Sequence, residues 1–252
     1  MTFLELYGAQ LNIELSNDDT TQLFTLARRK KAVNDAQLAF ARQTGCTRRY
    51  GSITMTDGTG EYSVIATLTD WIRLAAAPSV KIVDGSVTTW IQGFRDFPRR
   101  DPEWLDHEDP GWRAAPAGTP ASWYEQTNSG VTYLGVTPAP DIDGETWTLY
   151  VPYVASPSTM TADADVPFKT GSVSRPGLDV YHQGLVHYAA AQLEPLRKNF
   201  AGAQEQMSKY ASYAADYLVK ERETGPDQVT YVREYLGESH HGMVSYDPRR
   251  WP

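Results

Sequence analysis

A single cysteine, Cys46, is all the chain holds in 252 residues. No internal disulfide can form, and CTRRYG around it offers no second thiolate for zinc, so Cys46 is expected as a free buried thiol in a reducing compartment. Positive charge is short as well: 23 Lys and Arg stand against 31 Asp and Glu, a formal net charge of -8. Phosphate-neutralising proteins need the opposite balance. No window has the run of apolar residues that crosses a bilayer, and MTFLELYGAQLNIEL lacks a basic stretch ahead of an apolar one, so neither a membrane span nor a secretory leader is expected. Neither GxGxxG nor GxxxxGK[ST] occurs, which removes the usual phosphate-cradling loops.

Acidic clusters are present but incomplete as metal sites. DIDGE at Asp141–Glu145 lacks the third alternating acid and the distal glutamate of a calcium loop and fits a turn. DHED at Asp106–Asp109 and DAD at Asp163–Asp165 fit caps and turns, and SHHG at Ser239–Gly242 has no partner ligand that can be named. Acid catalysis needs two carboxylates across a cleft, and nothing in the sequence places Glu103, Asp106 or Glu125 relative to one another. No catalytic residue, metal ligand or cofactor is assigned.

Aromatic residues are plentiful: 12% of the chain, with seven Trp and fifteen Tyr. Such side chains suit large protein interfaces, and equally a carbohydrate-binding or glycan-cleaving protein. Thr2 and Glu5 make a capping box for a helix ending near Leu15. SNDD at Ser16–Asp19 opens a second helix, with Leu23, Leu26, Val33 and Phe40 on one stripe and Gly45 as the stop. Its run RRKK, Arg28–Lys31, points around the whole helix and fits a solvated face better than a nucleic-acid patch.

From Tyr50 to Ala155 the pattern alternates. YSVIATL is expected as a strand, SVKIVDGSVTTWIQGF as a tight hairpin about Asp84-Gly85, SWYEQTNSGVTYLGV as another about TNSG, and ETWTLYVPYVA as a long last strand. The segment Asp96–Ala121 is too rich in proline and charge for a sheet, and Trp104, Trp112 and Arg113 make it a candidate contact loop.

Two helices follow, Leu178–Glu194 and one beyond Pro195 with Phe200, Ala203, Met207, Tyr210, Ala214, Tyr217 and Glu221 at near-heptad spacing. In the first, His182 and His187 diverge by roughly 140° and cannot share a metal as i, i+4 histidines do. They are expected as structural, beside a packed stripe in which Tyr181, Leu185 and Tyr188 meet Met207 and Tyr210. The fold class is α+β: an α-helical bundle (1–48 and 170–223), an inserted antiparallel β-sandwich or barrel (49–169), and an extended C-terminal arm (224–252). In the arm, Pro226 can start and Gly237 stop a short helix with Val229, Val232 and Leu236 on one side. Tyr231, Tyr235, Tyr246, Arg249, Arg250 and Trp251 are the anchors that suit a docking segment.

The run from Asp101 to Met160, then VPF at 166–168, then YHQGLVHYAAAQL at 181–193, resembles the head-to-tail adaptor, or connector, proteins of tailed bacteriophages. The carrying positions, in order, are Trp112 and Arg113, Gly118 to Pro120, Trp123 and Tyr124, Pro138 and Pro140, Trp147 to Val151, and Tyr181 and His182. A longer connector at Lys169–Gly177 and an extension after Glu223 depart from the pattern. The resemblance implies a non-enzymatic virion protein, assembled in the host cytoplasm as a homo-oligomeric ring under the portal protein. The C-terminal anchors would then dock on the portal or a neighbouring copy, and a downstream neck or tail protein would attach on the other side. DNA would pass without specific binding, and the excess of acid suits such a channel.

Overall fold

The nine residues Trp147–Ala155 carry no charge, and they form the strand to which the largest sheet is tied. In the computed structural model the described residues are 1–15, 22–75, 80–85, 89–92 and 97–224. In chain order the regular elements begin with α1 (Phe3–Glu5), a π-helical segment (Leu6–Gln10), α2 (Leu11–Glu14), α3 (Leu26–Thr44), β1 (Arg48–Thr54), β2 (Glu61–Ser63), α4 (Val64–Thr67) and β3 (Trp71–Leu74). They continue with β4 (Lys81–Asp84), β5 (Thr89–Gln92), α5 (Pro102–Glu108), β6 (Ser122–Asn128), β7 (Val131–Thr137), β8 (Trp147–Ala155), α6 (His182–Leu193) and α7 (Phe200–Thr224). The chain divides into two units, Met1–Ala214 and Ala215–Pro252.

β8 pairs antiparallel with β1 along one edge, from Arg48↔Val154 to Thr54↔Thr148. Its other edge is shared: β4 takes Trp147 to Tyr150 and β3 takes Tyr153 to Ala155. Pro152 sits where the partner changes, and its carbonyl accepts from the Ala75 amide at 3.1 Å. Its missing donor therefore faces the gap between two partners, which is why a proline survives inside this strand. The second sheet, β2–β7–β6, is antiparallel throughout. Asn128 pairs with Val131 across Ser129 and Gly130, both at positive φ, as the TNSG reading expected. Gly135 is obligatory on β7, because a Cβ there would lie 2.0 Å from the Tyr124 ring. Ile53, Leu149, Val151 and Tyr153 of one sheet share an apolar cluster with Tyr62, Trp123, Leu134 and Val136 of the other.

Two strand expectations are corrected. YSVIATL is extended only over Glu61–Ser63 and then turns into α4. Asp84 pairs with Thr89 instead of closing a two-residue turn at Asp84-Gly85, and the Gly85 amide bonds the Thr146 carbonyl at 2.7 Å. That bond holds Gly85 beside the end of β8 and lengthens the connection.

The chain enters and leaves the strand region at one point. The Ala155 amide donates to the Thr47 carbonyl at 3.1 Å, and the Thr47 hydroxyl donates to the Ala155 carbonyl at 2.5 Å. On the helical side the capping box forms as expected, with the Thr2 amide donating to Glu5 Oε2 at 2.7 Å and the Glu5 amide to Thr2 Oγ1 at 3.4 Å. α3 is capped by Thr25 and ends on Gly45 at φ 71°, and SNDD, Ser16–Asp19, lies outside the described residues.

α6 is buried over nine of its twelve residues, more than the single stripe expected, with Tyr188 half-buried and Gln192 exposed. α1 to α3, α6 and Met160 pool Phe3, Leu6, Leu11, Val33, Val186, Ala190 and Leu193 in one cluster. Tyr181 and Tyr210 lie 5.8 and 6.1 Å from Phe40, and Tyr188 meets Tyr210 edge-on at 4.9 Å. α7 buries Gln206, Tyr210 and Ala214, four residues apart, whereas Met207, placed in the core on sequence grounds, is 37% exposed. The heptad reading set the stripe about one position off. His182 and His187 are both buried: the N-terminal ammonium lies 3.0 Å from His182 Nδ1, and His187 Nδ1 lies 2.7 Å from Gln206 Oε1.

Replacing Leu185, fully buried, with Ala should cost about 2 to 5 kcal/mol in chemical denaturation. Burial, aided by the nearby N-terminal ammonium, lowers the His182 pKa to about 4 against Asp179, which raises it. Between about 6.5, the ordinary value, and 4 the unfolded chain takes up a proton that the folded chain refuses, so stability falls as pH drops through that window. Denaturation at pH 7 and pH 5 should show a larger loss for the wild type than for His182→Gln; equal losses would contradict a buried neutral imidazole.

Candidate assembly surface

The described part of the proline-rich segment, 97–121, is pinned to the edge of β6. The Arg100 amide donates to the Trp123 carbonyl at 2.8 Å, the Trp123 amide to the Pro98 carbonyl at 3.1 Å, and Arg99 Nη2 reaches Glu125 Oε2 at 3.0 Å. Asp101 then caps α5 through the Glu103 amide at 2.9 Å, with Pro102 at the first helical position, where its missing donor costs nothing. The helix ends at Asp109 before Pro110-Gly111.

This short helix sorts its aromatics. Trp112 is buried with Leu105 and Tyr124, edge-on to Tyr124 at 4.9 Å, and its indole N–H donates to Asp106 Oδ1 at 2.8 Å. Arg113 lies 4.2 Å over the Trp112 ring and 3.5 Å from Asp106, closing the group from outside. Trp104 faces outward, 44% exposed, under the Arg100 guanidinium at 4.5 Å. A cation over an indole face holds both side chains at little entropy cost, so the loop presents a prearranged aromatic rimmed by exposed Glu103, Glu108 and Asp109. The sequence showed Asp106 only as a candidate carboxylate and gave no sign of the roles of Arg100 and Asp106 beside the tryptophans: the stacking and indole bonds depend on the turn that follows α5, which no spacing rule announces.

The other charged runs are engaged within the chain. In RRKK, Arg28 Nη1 bonds the Leu23 carbonyl, Arg29 Nη1 bonds Asn12 Oδ1, Lys30 bonds Asp163 and Lys31 pairs with Asp35. Tyr7 and Lys30 together hold the Asp163 carboxyl below its ordinary pKa. Asp165 accepts from the Thr161 and Ala162 amides, which likewise lowers it. Asp143 and Gly144 of DIDGE both have positive φ, the geometry of a turn. A cleft of about 520 Å3 opens between Arg49, Asp70, Tyr153 and Ser158, but Arg49 and Tyr153 are both bonded to Asp70, at 3.0 and 2.7 Å. Among the described tryptophan side chains Trp112, Trp123 and Trp147 are buried, so they line no sugar-binding groove. Tyr231, Tyr235, Tyr246, Arg249, Arg250 and Trp251 lie outside the described residues.

A family model described as SU10 adaptor protein matches residues 1–230. No curated protein matches the chain.

The two tryptophans should separate on mutation. Trp112→Ser removes the centre of a small buried cluster and should lower stability by about 3 kcal/mol or more in thermal or chemical denaturation. Trp104→Ser should change stability by less than about 0.5 kcal/mol. Equal losses would place Trp104 in the core.

Proposed function

Because the chain belongs to the SU10 adaptor protein family, a phage head-to-tail adaptor family, we propose that its copies form a ring beneath the portal and extend the DNA channel towards the tail. Membership of that family implies a structural virion component that interacts with portal and tail proteins. In this reading the helical residues, 1–48 and 170–223, pack side by side around the ring. The strand region, 49–169, meets the next neck or tail component, and the segment from 224 docks on the portal or a neighbouring copy. Catalysis has no place in it.

The observation that carries the reading is the family match over residues 1–230, which takes in helices and strands alike. The loop supports it. Trp104 is offered to solvent on a braced arginine while its neighbour Trp112 is folded away, an arrangement suited to an anchor residue on a partner. The acid excess also suits a conduit, since phosphates held off by like charge stay mobile.

Native mass of the purified protein, alone and mixed with its portal protein, checks the ring: a discrete oligomer is expected in at least one case, and monomer in both would refute it. Removing residues after Glu223 should leave a folded chain of similar melting temperature that no longer joins DNA-filled heads. Normal attachment of that truncated chain would end the docking-arm idea, as would failure to fold. Trp104→Ser should reduce incorporation into particles while leaving the fold intact.

A further inference from the structure

Four elements end together at one end of the helical layer of the first unit. α2 stops at Leu15, whose carbonyl accepts from Arg197 Nη1 at 2.7 Å. The first turns of α3 are tied to α2 by Arg29 Nη1 and Asn12 Oδ1 at 2.6 Å. α6 runs into the turn Glu194–Arg197, and α7 starts just beyond it. Glu194, 2% exposed, knots this corner: its carboxylate accepts from Arg197 Nε at 2.6 Å, Arg197 Nη2 at 2.5 Å and Asn199 Nδ2 at 2.8 Å. Asn199 Oδ1 in turn accepts the Gly202 amide at 3.0 Å. A carboxylate and a guanidinium joined by two bonds make a stiff support.

Near these element ends lie large apolar side chains that stay exposed. Ile13 is 68% exposed, Leu23 41%, Leu26 50%, Leu196 44% and Phe200 68%. Leu23 and Leu26 had been expected on the buried stripe of α3. Exposed apolar residues scattered singly need no explanation, but five at the ends of elements tied together here suit a docking surface.

We infer that this end receives the apolar run Val229, Val232 and Leu236 of a neighbouring copy, an inference that rests on the ring proposed above. The run fits in spacing and in charge. Its spacing puts the three side chains on one side of a helix too short to be stable alone. Residues 226–238 carry Asp227, Glu234 and Glu238 against Arg233, a net charge of -2. The receiving end offers exposed Arg28 and Lys198. A contact between unlike surfaces of successive copies is the kind that propagates into a closed ring. The last residues, Tyr246 to Trp251, then remain for the portal.

The test uses the full chain with Phe200→Cys and Val232→Cys together; Cys46 is buried and stays apart. Mild oxidation should give a ladder of covalently joined chains on a non-reducing gel, since a disulfide forms only where Cα atoms approach to about 4 to 7 Å. Each single variant should give no ladder beyond a dimer. Phe200→Asp, a change at an exposed site, should keep the melting temperature and raise the concentration needed for assembly by about tenfold or more. A fast-migrating, internally linked monomer would overturn the inference, as would no link, or an unchanged assembly concentration for Phe200→Asp. If the wild type has ring mass while the ladder fails, the ring stands and only this contact is wrong. A monomeric wild type, alone and with portal protein, removes both.

Discussion

An unpaired charge taken out of water is expensive, and two central elements of this protein avoid charged side chains. β8, paired on both edges, reads WTLYVPYVA, and α6, packed by α1 to α3 and by the first turns of α7, reads HQGLVHYAAAQL. Neither contains Asp, Glu, Lys or Arg. β1, β3 and β4 hand their edges to β8, and α1 to α3 turn apolar side chains to α6.

Several of the charged or polar groups that enter the interior are met by partners. Glu194 is wrapped by Arg197 and Asn199, and His187 meets Gln206, whose amide also donates to Glu14 at 2.9 Å. Lys81, 4% exposed, lies 5.2 Å over the Tyr150 ring, and burial lowers its pKa. Outside, the cations of RRKK bond to groups of the same chain. Exposed Trp, Phe, Leu and Ile remain on the surface of the described residues.

Much of the fold was legible because it rests on short-range chemistry. The capping box at Thr2, the stop at Gly45, the hairpin at Ser129-Gly130 and the break at Pro195 are each decided by residues within one turn of each other. What escaped the sequence depends on distant partners. YSVIATL has strand composition throughout, but its second half leaves the sheet as α4. Asp84-Gly85 has hairpin chemistry, but Gly85 is claimed by Thr146. Phe200 and Met207 share a helical stripe with Tyr210, but α7 touches the rest of the first unit through Gln206, Tyr210 and Ala214. For the same reason the contact loop was legible in outline and not in detail. Proline and charge exclude Asp96–Ala121 from the sheet, whereas the sorting of Trp112 inward and Trp104 outward is decided by Tyr124 and Arg100.

The two hydrogen bonds between Thr47 and Ala155 make the strand region a loop whose ends meet. A polymer loop closed at its base transmits little of its internal length or shape to the chain outside it. Hairpins between residues 48 and 155 can therefore lengthen, shorten or change sequence while the helices on either side keep their separation. In lineage terms, if the ring proposed above forms, the helices that would hold copies together and the strands that would meet the next component can drift at different rates. A virus with such a ring could acquire a different tail by altering the strands and leave the stoichiometry untouched.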